Sequence, residues 1–270
     1  MTFQPVVPFR GLVGWTFLKR TLENQQEAFR KSPEIVRDAD YFRARIGSVG
    51  SAETLVSDRR LLRVALGAFG LDADIDNRFF IRKVLEDGTL DRDALANKLA
   101  DKRYLEFSRA FGFGDFAIPL AQVNGFAEKT VAAFETRQFE IAVGDTDENM
   151  RLALGLSRDL GAIAARPSAD TTLWLTVLGS PPLRSVFETA FGLPTGFGAL
   201  DLDRQVEVMR DRSRRAFGAE TVSQFTDPDR IEALTRQFLI RADLSSGFSR
   251  ATGSSIALQL LQSAPRAVVF

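Results

Sequence analysis

A chain of 270 residues, 45% of them hydrophobic, can bury one large core or two modest ones, and 35 Lys and Arg against 35 Asp and Glu leave none of the basic excess that coats nucleic acid or an anionic membrane. It contains neither cysteine nor histidine. That removes disulfides, thiolate nucleophiles and metal sites, Ser-His-Asp chemistry and the commonest general base near neutral pH. No basic stretch followed by a long apolar run opens the sequence, and no window approaches the roughly 20 apolar residues of a bilayer span, so a cytoplasmic location is expected.

Helical spacing dominates from the start. Trp15, Leu18, Leu22 and Phe29 mark one face of a helix over 11–30. Ser32-Pro33 reads as a cap followed by proline at the first helical position, where its missing N–H costs nothing. Gly47 and Gly50 precede a new start at Ser51-Ala52-Glu53. Asp58 is placed to cap a helix over 59–69, and Gly70 to stop it in the left-handed conformation.

The run from Asp72 to Asn77 places carboxylates at the first, third and fifth positions of a calcium loop. Asn77 then stands where the loop needs glycine, and Lys83 where it needs a bidentate Glu. An acidic turn ahead of a helix near Arg78 is the simpler reading. Gly112-Phe113-Gly114 loosely fits a dinucleotide fingerprint but follows a helix over 104–111 rather than a strand. The glycines between Gly192 and Gly198 lack the Lys-Ser/Thr of a phosphate loop, so both stretches read as helix stops and turns. Val131, Phe134 and Ile141 outline the first arm of a packed hairpin over 122–163. Asp145-Thr146-Asp147-Glu148 precedes the stripe Leu152, Leu156, Leu160 and Ile163. Asp201 opens a helix carrying Leu202, Val206, Met209 and Phe217, closed by Gly218, and Asp227-Pro228 opens another with Ile231, Leu234 and Phe238.

One stretch recurs. The residues from Asp58 to Leu71 align without gaps on those from Ser180 to Leu193, sharing Leu61 with Leu183, Val64 with Val186, and Ala68-Phe69-Gly70-Leu71 with Ala190-Phe191-Gly192-Leu193. A fainter echo relates the Leu99–Arg103 stretch to that from Phe225 to Arg230. The expected fold is therefore all-α, a helical bundle built from two divergent copies of a helical unit. Residues 1–120 would hold the N-terminal helix and first repeat. Residues 121–270 would hold the connecting hairpin, second repeat and C-terminal tail, all packed as one globular unit.

No catalytic, cofactor or metal-ligating residue stands out. Arg59 with Arg63, and Arg210 with Arg214, share helix faces and could grip a phosphate, a carboxylate or a partner, although Asp58, Asp203, Glu207 and Asp211 are near enough to pair with them. The tail ends in Val268, Val269 and Phe270, after an apolar helix candidate at Ile256, Leu258, Leu260 and Leu261. It would dock on its own core or enter a partner's groove.

With Gly14–Leu18, Tyr41–Arg43, Ser57–Leu62, Ala68–Leu71, Asn97–Asp101 and Ala110–Gly114, the chain resembles an alphaproteobacterial family known as domain of unknown function 1217. The resemblance covers most of the chain and is clearest between Trp15 and Gly114. It implies an all-helical protein with relatives often encoded among flagellar genes, and it carries over no site residue. The expectation is a non-enzymatic interaction or adaptor protein accessory to the flagellum, with a protein partner, no cofactor and no nucleic acid. The alternative is a small-molecule-binding protein or enzyme that uses arginines and carboxylates.

Overall fold

Thirteen α-helices and no strand are formed by residues 3–251, the part of the chain that the computed structural model describes, with side chains described through residue 245. In chain order they are α1 (Gly11–Arg30), α2 (Pro33–Arg45), α3 (Ala52–Ser57), α4 (Arg59–Phe69), α5 (Arg78–Glu86), α6 (Leu95–Lys98), α7 (Arg103–Phe111) and α8 (Phe126–Gly144). There follow α9 (Glu148–Ala164), α10 (Asp170–Leu178), α11 (Pro181–Phe191), α12 (Leu202–Phe217) and α13 (Pro228–Ala251).

Short oxygen-bearing side chains set the helix starts, because the first amides of a helix have no intrahelical acceptor. Asp58 accepts from the amides of Arg60 (2.9 Å) and Leu61 (3.1 Å) at the head of α4. Asp147 takes those of Asn149 and Met150 at α9, and Asp201 that of Arg204 at α12. Ser32 departs from expectation. Its hydroxyl makes no cap bond to α2 and instead accepts from the amide of Phe3 at 3.2 Å, tying the N-terminal segment down.

The interior is one continuous apolar cluster with contributions from every helix except α6. At its centre α8 and α9 form the expected hairpin, joined through residues 145–147. Helix α4 packs on α2 and α8, and α11 packs on α9 and α13. Helix α1 crosses α8, α9 and α13, fixed by Glu232, which accepts from Lys19 Nζ (2.8 Å) and Trp15 Nε1 (3.4 Å). The predicted stripes on α9 and α13 point inward, but Leu202 in the first turn of α12 is 57% exposed.

Four helices end in the same three residues: Ala68-Phe69-Gly70 closes α4, Ala110-Phe111-Gly112 closes α7, Ala190-Phe191-Gly192 closes α11 and Ala216-Phe217-Gly218 closes α12. Each glycine has a positive φ, between 60° and 84°. That conformation costs a residue with a Cβ roughly 1–2 kcal/mol, so glycine lets the chain turn away while the phenylalanine before it stays packed. The rings pair alike: Phe69 and Phe111 lie 6.3 Å apart at 53°, Phe191 and Phe217 6.2 Å apart at 45°. The Leu99–Arg103 stretch leads into short α7, whereas the Phe225–Arg230 stretch leads into long α13, so these two segments hold different places in the fold.

Candidate functional site

The predicted arginines occupy separate settings. Arg59 pairs with Asp76 at 2.6 Å, while Arg63 and Arg60 both reach Asp38, at 3.3 and 2.8 Å. Asp38 is only 5% exposed, so two half-exposed guanidinium groups share one buried carboxylate. With Glu34 and Arg37 these residues rim a shallow dish on α2 and α4. Of the predicted partners, Asp58 serves the α4 cap and accepts from the Tyr41 hydroxyl at 2.7 Å. Arg210 is tied to Asp170 (2.9 Å) and Thr171 (2.8 Å), across to α10. Arg214 lies near Asp211 (3.9 Å) and Glu220 (3.6 Å). Arg210 and Arg214 therefore serve different partners although they share a helix face. Val268, Val269 and Phe270 lie outside the described residues.

The acidic run before α5 is dispersed over three elements. Asp72 accepts from Gln138 on α8 (2.6 Å), Asp74 from the Tyr104 hydroxyl on α7 (2.7 Å), and Asp76 faces Arg59. Burial and the Asp74 bond push the Tyr104 hydroxyl up to about 12. The glycine pair after α7 is a turn: Asp115 accepts from the amides of Thr89 (2.6 Å) and Leu90 (3.1 Å) and from the Thr89 hydroxyl (2.8 Å), clasping two loops together.

A more enclosed concavity lies elsewhere among the described residues. A cleft of about 190 Å³ opens where the α8–α9 hairpin meets the end of α4, the start of α7 and the start of α11. Spacing within the hairpin explains its floor. Glu140 and Ile141 stand three and four residues beyond Arg137 on α8, as Ala162 and Ile163 do beyond Asp159 on α9, with Arg166 just past the end of α9. Gly70 and Arg103 form one wall, Pro182 and Leu183 the other.

Most charges in the cleft close on one another. Arg103 binds both oxygens of Asp101 (3.1, 3.0 and 2.6 Å) and also donates to the Gly70 carbonyl. Arg158 grips Asp159 through Nε (2.9 Å) and Nη2 (3.1 Å) and donates to Glu140 through Nη1. Arg166 pairs with Glu106 at 2.5 Å, and Arg151 with Glu148. Glu140 is 8% exposed, and burial holds its carboxyl above the ordinary range despite Arg158 beside it. Arg137 is different. Its Nε donates to the Ala68 carbonyl at 3.0 Å, but its nearest carboxylate oxygen, on Asp159, is 3.4 Å from Nη2 and already serves Arg158. Burial lowers its pKa below the usual arginine value.

These residues escape a reading of the sequence because Glu and Arg on long helices ordinarily read as solvated faces. The signal present is a charge next to an apolar stripe: Arg137 and Glu140 continue the face of Val131 and Phe134. Among the described residues an apolar row also lies exposed at the head of α1, formed by Phe9 just ahead of the helix and by Leu12, Val13 and Phe17 on it, and ending at Arg20. Phe9 is 54% and Val13 64% exposed. No helix among the described residues is long and apolar enough to cross a membrane.

The model of the family described as "Protein of unknown function (DUF1217)" matches residues 68–231, more than half of the chain. Three of the six segments behind the resemblance, at 68–71, 97–101 and 110–114, fall inside that match; those at 14–18, 41–43 and 57–62 precede it. No curated protein matches the sequence. Among solved structures, an X-ray crystal structure of a protein from Agrobacterium tumefaciens is similar, with a TM-score of 0.73 and 26% identity over 90% of this chain and 99% of that one.

Proposed function

The chain belongs to the DUF1217 family, and from that premise we propose that it is a non-enzymatic helical protein that works in the cytoplasm by binding a protein partner. The observation that carries this reading is the row on α1. Its helical part spans Leu12 to Arg20, about 12 Å at 1.5 Å per residue, with Phe9 just ahead of the helix, and about two turns of a partner helix would cover it. Arg20 at its end favours a partner whose apolar stripe is followed by an acidic residue. The flagellar setting follows from the resemblance and makes the flagellar export or basal-body machinery the first place to look.

The test is a tagged copy at native level, crosslinked in its own cells, with captured proteins identified by mass spectrometry for wild type, Val13→Asp and Val36→Asp. Val13 and Val36 are both exposed (64% and 38%), on different helices, so neither change opens the core. Flagellar components retained by wild type and Val36→Asp but lost in Val13→Asp are the expected result. Equal capture by all three removes the α1 row from the reading, and metabolic enzymes in place of flagellar components remove the setting.

We also infer that the two halves are divergent copies of one helical unit. Support comes from the four Ala-Phe-Gly endings, the matched Phe pairs and the packing of α4 and α11 each between two longer helices. A superposition of α2, α4 and α8 on α9, α11 and α13 that left Phe69 and Phe191 on different sides of the core would remove the inference.

A further inference from the structure

The cleft at the α8–α9 hairpin holds a cation, Arg137, that shares its carboxylate, Asp159, with Arg158. In the second half, the carbonyl of Ala190 is capped by a neutral amide, Gln237 Nε2 at 2.7 Å. In the first half the corresponding carbonyl, that of Ala68, is capped by Arg137 Nε at 3.0 Å. An amide suffices for that cap, so the charge of Arg137 is matched only by its 3.4 Å contact to Asp159.

Arg137 lines the cleft. Nη2 has only the 3.4 Å contact to an Asp159 already gripped by Arg158, and Nη1 donates no hydrogen bond among the described residues. Gly70 stands opposite, where a Cβ would come within 3.2 Å of Nη1; glycine therefore leaves the approach clear. Ile141, one turn along α8, faces Ile163 and Leu183 across the same space and gives it an apolar side.

We propose that this cleft binds a small organic anion, an oxyanion head on a compact apolar body, with Arg137 gripping the head and Ile141, Ile163 and Leu183 packing the body. An arginine presents its N–H groups as a planar fork that matches carboxylate and phosphate oxygens in pairs. The carboxylates in the cleft are engaged elsewhere: Asp101 by Arg103, Glu140 and Asp159 by Arg158, Glu106 by Arg166, and Asp72 by the Gln138 amide. Burial outweighs the shared Asp159 and depresses the pKa of Arg137, and an anion would offset that. A volume of about 190 Å³ is below the roughly 300–1,000 Å³ of drug-sized sites, which restricts the ligand to a small metabolite.

The test is thermal melting of the full chain at fixed ionic strength with benzoate, phenyl phosphate or neutral benzyl alcohol. A saturable rise in Tm with benzoate identifies a carboxylate head, a rise with phenyl phosphate identifies a phosphate head, and benzyl alcohol should give none. Arg137→Gln, which reproduces the amide cap of the other half, should fold and bind about tenfold to a hundredfold more weakly, the loss of a charge-assisted hydrogen bond. Should that variant not fold, Ala162→Asp, at an exposed lining position, introduces a repelling carboxylate and should weaken binding as well. No saturable rise with either anion, an equal rise with benzyl alcohol, or unchanged binding in both variants overturns the proposal. The site is independent of the α1 row, so Val13→Asp should bind the anion as wild type does.

Discussion

Ala68-Phe69-Gly70 at the end of α4 and Ala190-Phe191-Gly192 at the end of α11 are identical in sequence and finished differently. Over the first lie two guanidinium groups: Arg137 caps the Ala68 carbonyl and Arg103 donates to that of Gly70. Over the second, Gln237 caps the Ala190 carbonyl, and the side chain of Arg241 occupies the space into which a Gly192 Cβ would project. The first ending therefore borders an open, charged cleft, and the second is covered by one side chain. Identical backbone chemistry fixes where a helix stops. What stands over the stop decides whether the place is only structural.

The largest effect that probes this comparison lies in the rings. Phe111 and Phe217 hold matching places, are 0% and 6% exposed, and each meets further rings, Phe126 and Phe225. Truncating either to Ala should cost about 3–5 kcal/mol. Because the core is continuous through both halves, urea unfolding followed by far-UV circular dichroism should show one transition moved to lower urea in each variant. A split into two transitions would mean that the halves unfold separately, and the comparison would become one between two domains.

A smaller effect is expected at the glycines. Gly70→Ala and Gly192→Ala each force a Cβ into the left-handed region, at about 1–2 kcal/mol. The contacts differ: 3.2 Å to Arg137 Nη1 at the first, 2.1 Å to Arg241 Nη1 at the second. Both neighbours are ends of flexible side chains that can move aside, so the two costs should be similar in calorimetric melts. A much larger loss for Gly192→Ala would show that Arg241 is locked in place.

The helix ends were the most legible feature of the sequence. Asp58, Gly70, Asp147, Asp201 and Gly218 all sit where capping chemistry predicts, because caps act over three or four residues and need no knowledge of the tertiary fold. Ser32 escaped that reasoning because its hydroxyl bonds to Phe3, 29 residues away. Arg59 and Arg63 attracted notice through local clustering, yet each has a carboxylate close by on a neighbouring element. In sequence Arg137 looks like any other helix charge. Its environment is assembled from α4, α7, α8, α9 and α11, and no local pattern encodes that convergence.

The smallest effect belongs to Glu140, and it separates the charged cleft from the sealed ending through its dependence on pH. Its folded pKa lies above the ordinary 4.5 because burial outweighs the attraction of Arg158. Between 4.5 and that raised value the native state holds a proton that the unfolded chain has released. Stability therefore falls as pH rises through this window, and below it the penalty is absent. Gln cannot ionise, so Glu140→Gln removes the penalty while Arg158 keeps its two bonds to Asp159. The carboxylates whose pKa is lowered, such as Asp58 and Glu232, act in the opposite sense but equally in both proteins, and cancel in the difference. Urea midpoints at pH 4 and pH 7 should show the variant gaining on wild type at the higher pH. A difference that stays constant between the two would mean that Arg158 fully compensates the buried carboxylate. Arg137 would then be the arginine at this joint that burial still holds below its usual pKa, and the contrast with Gln237 would rest on it alone.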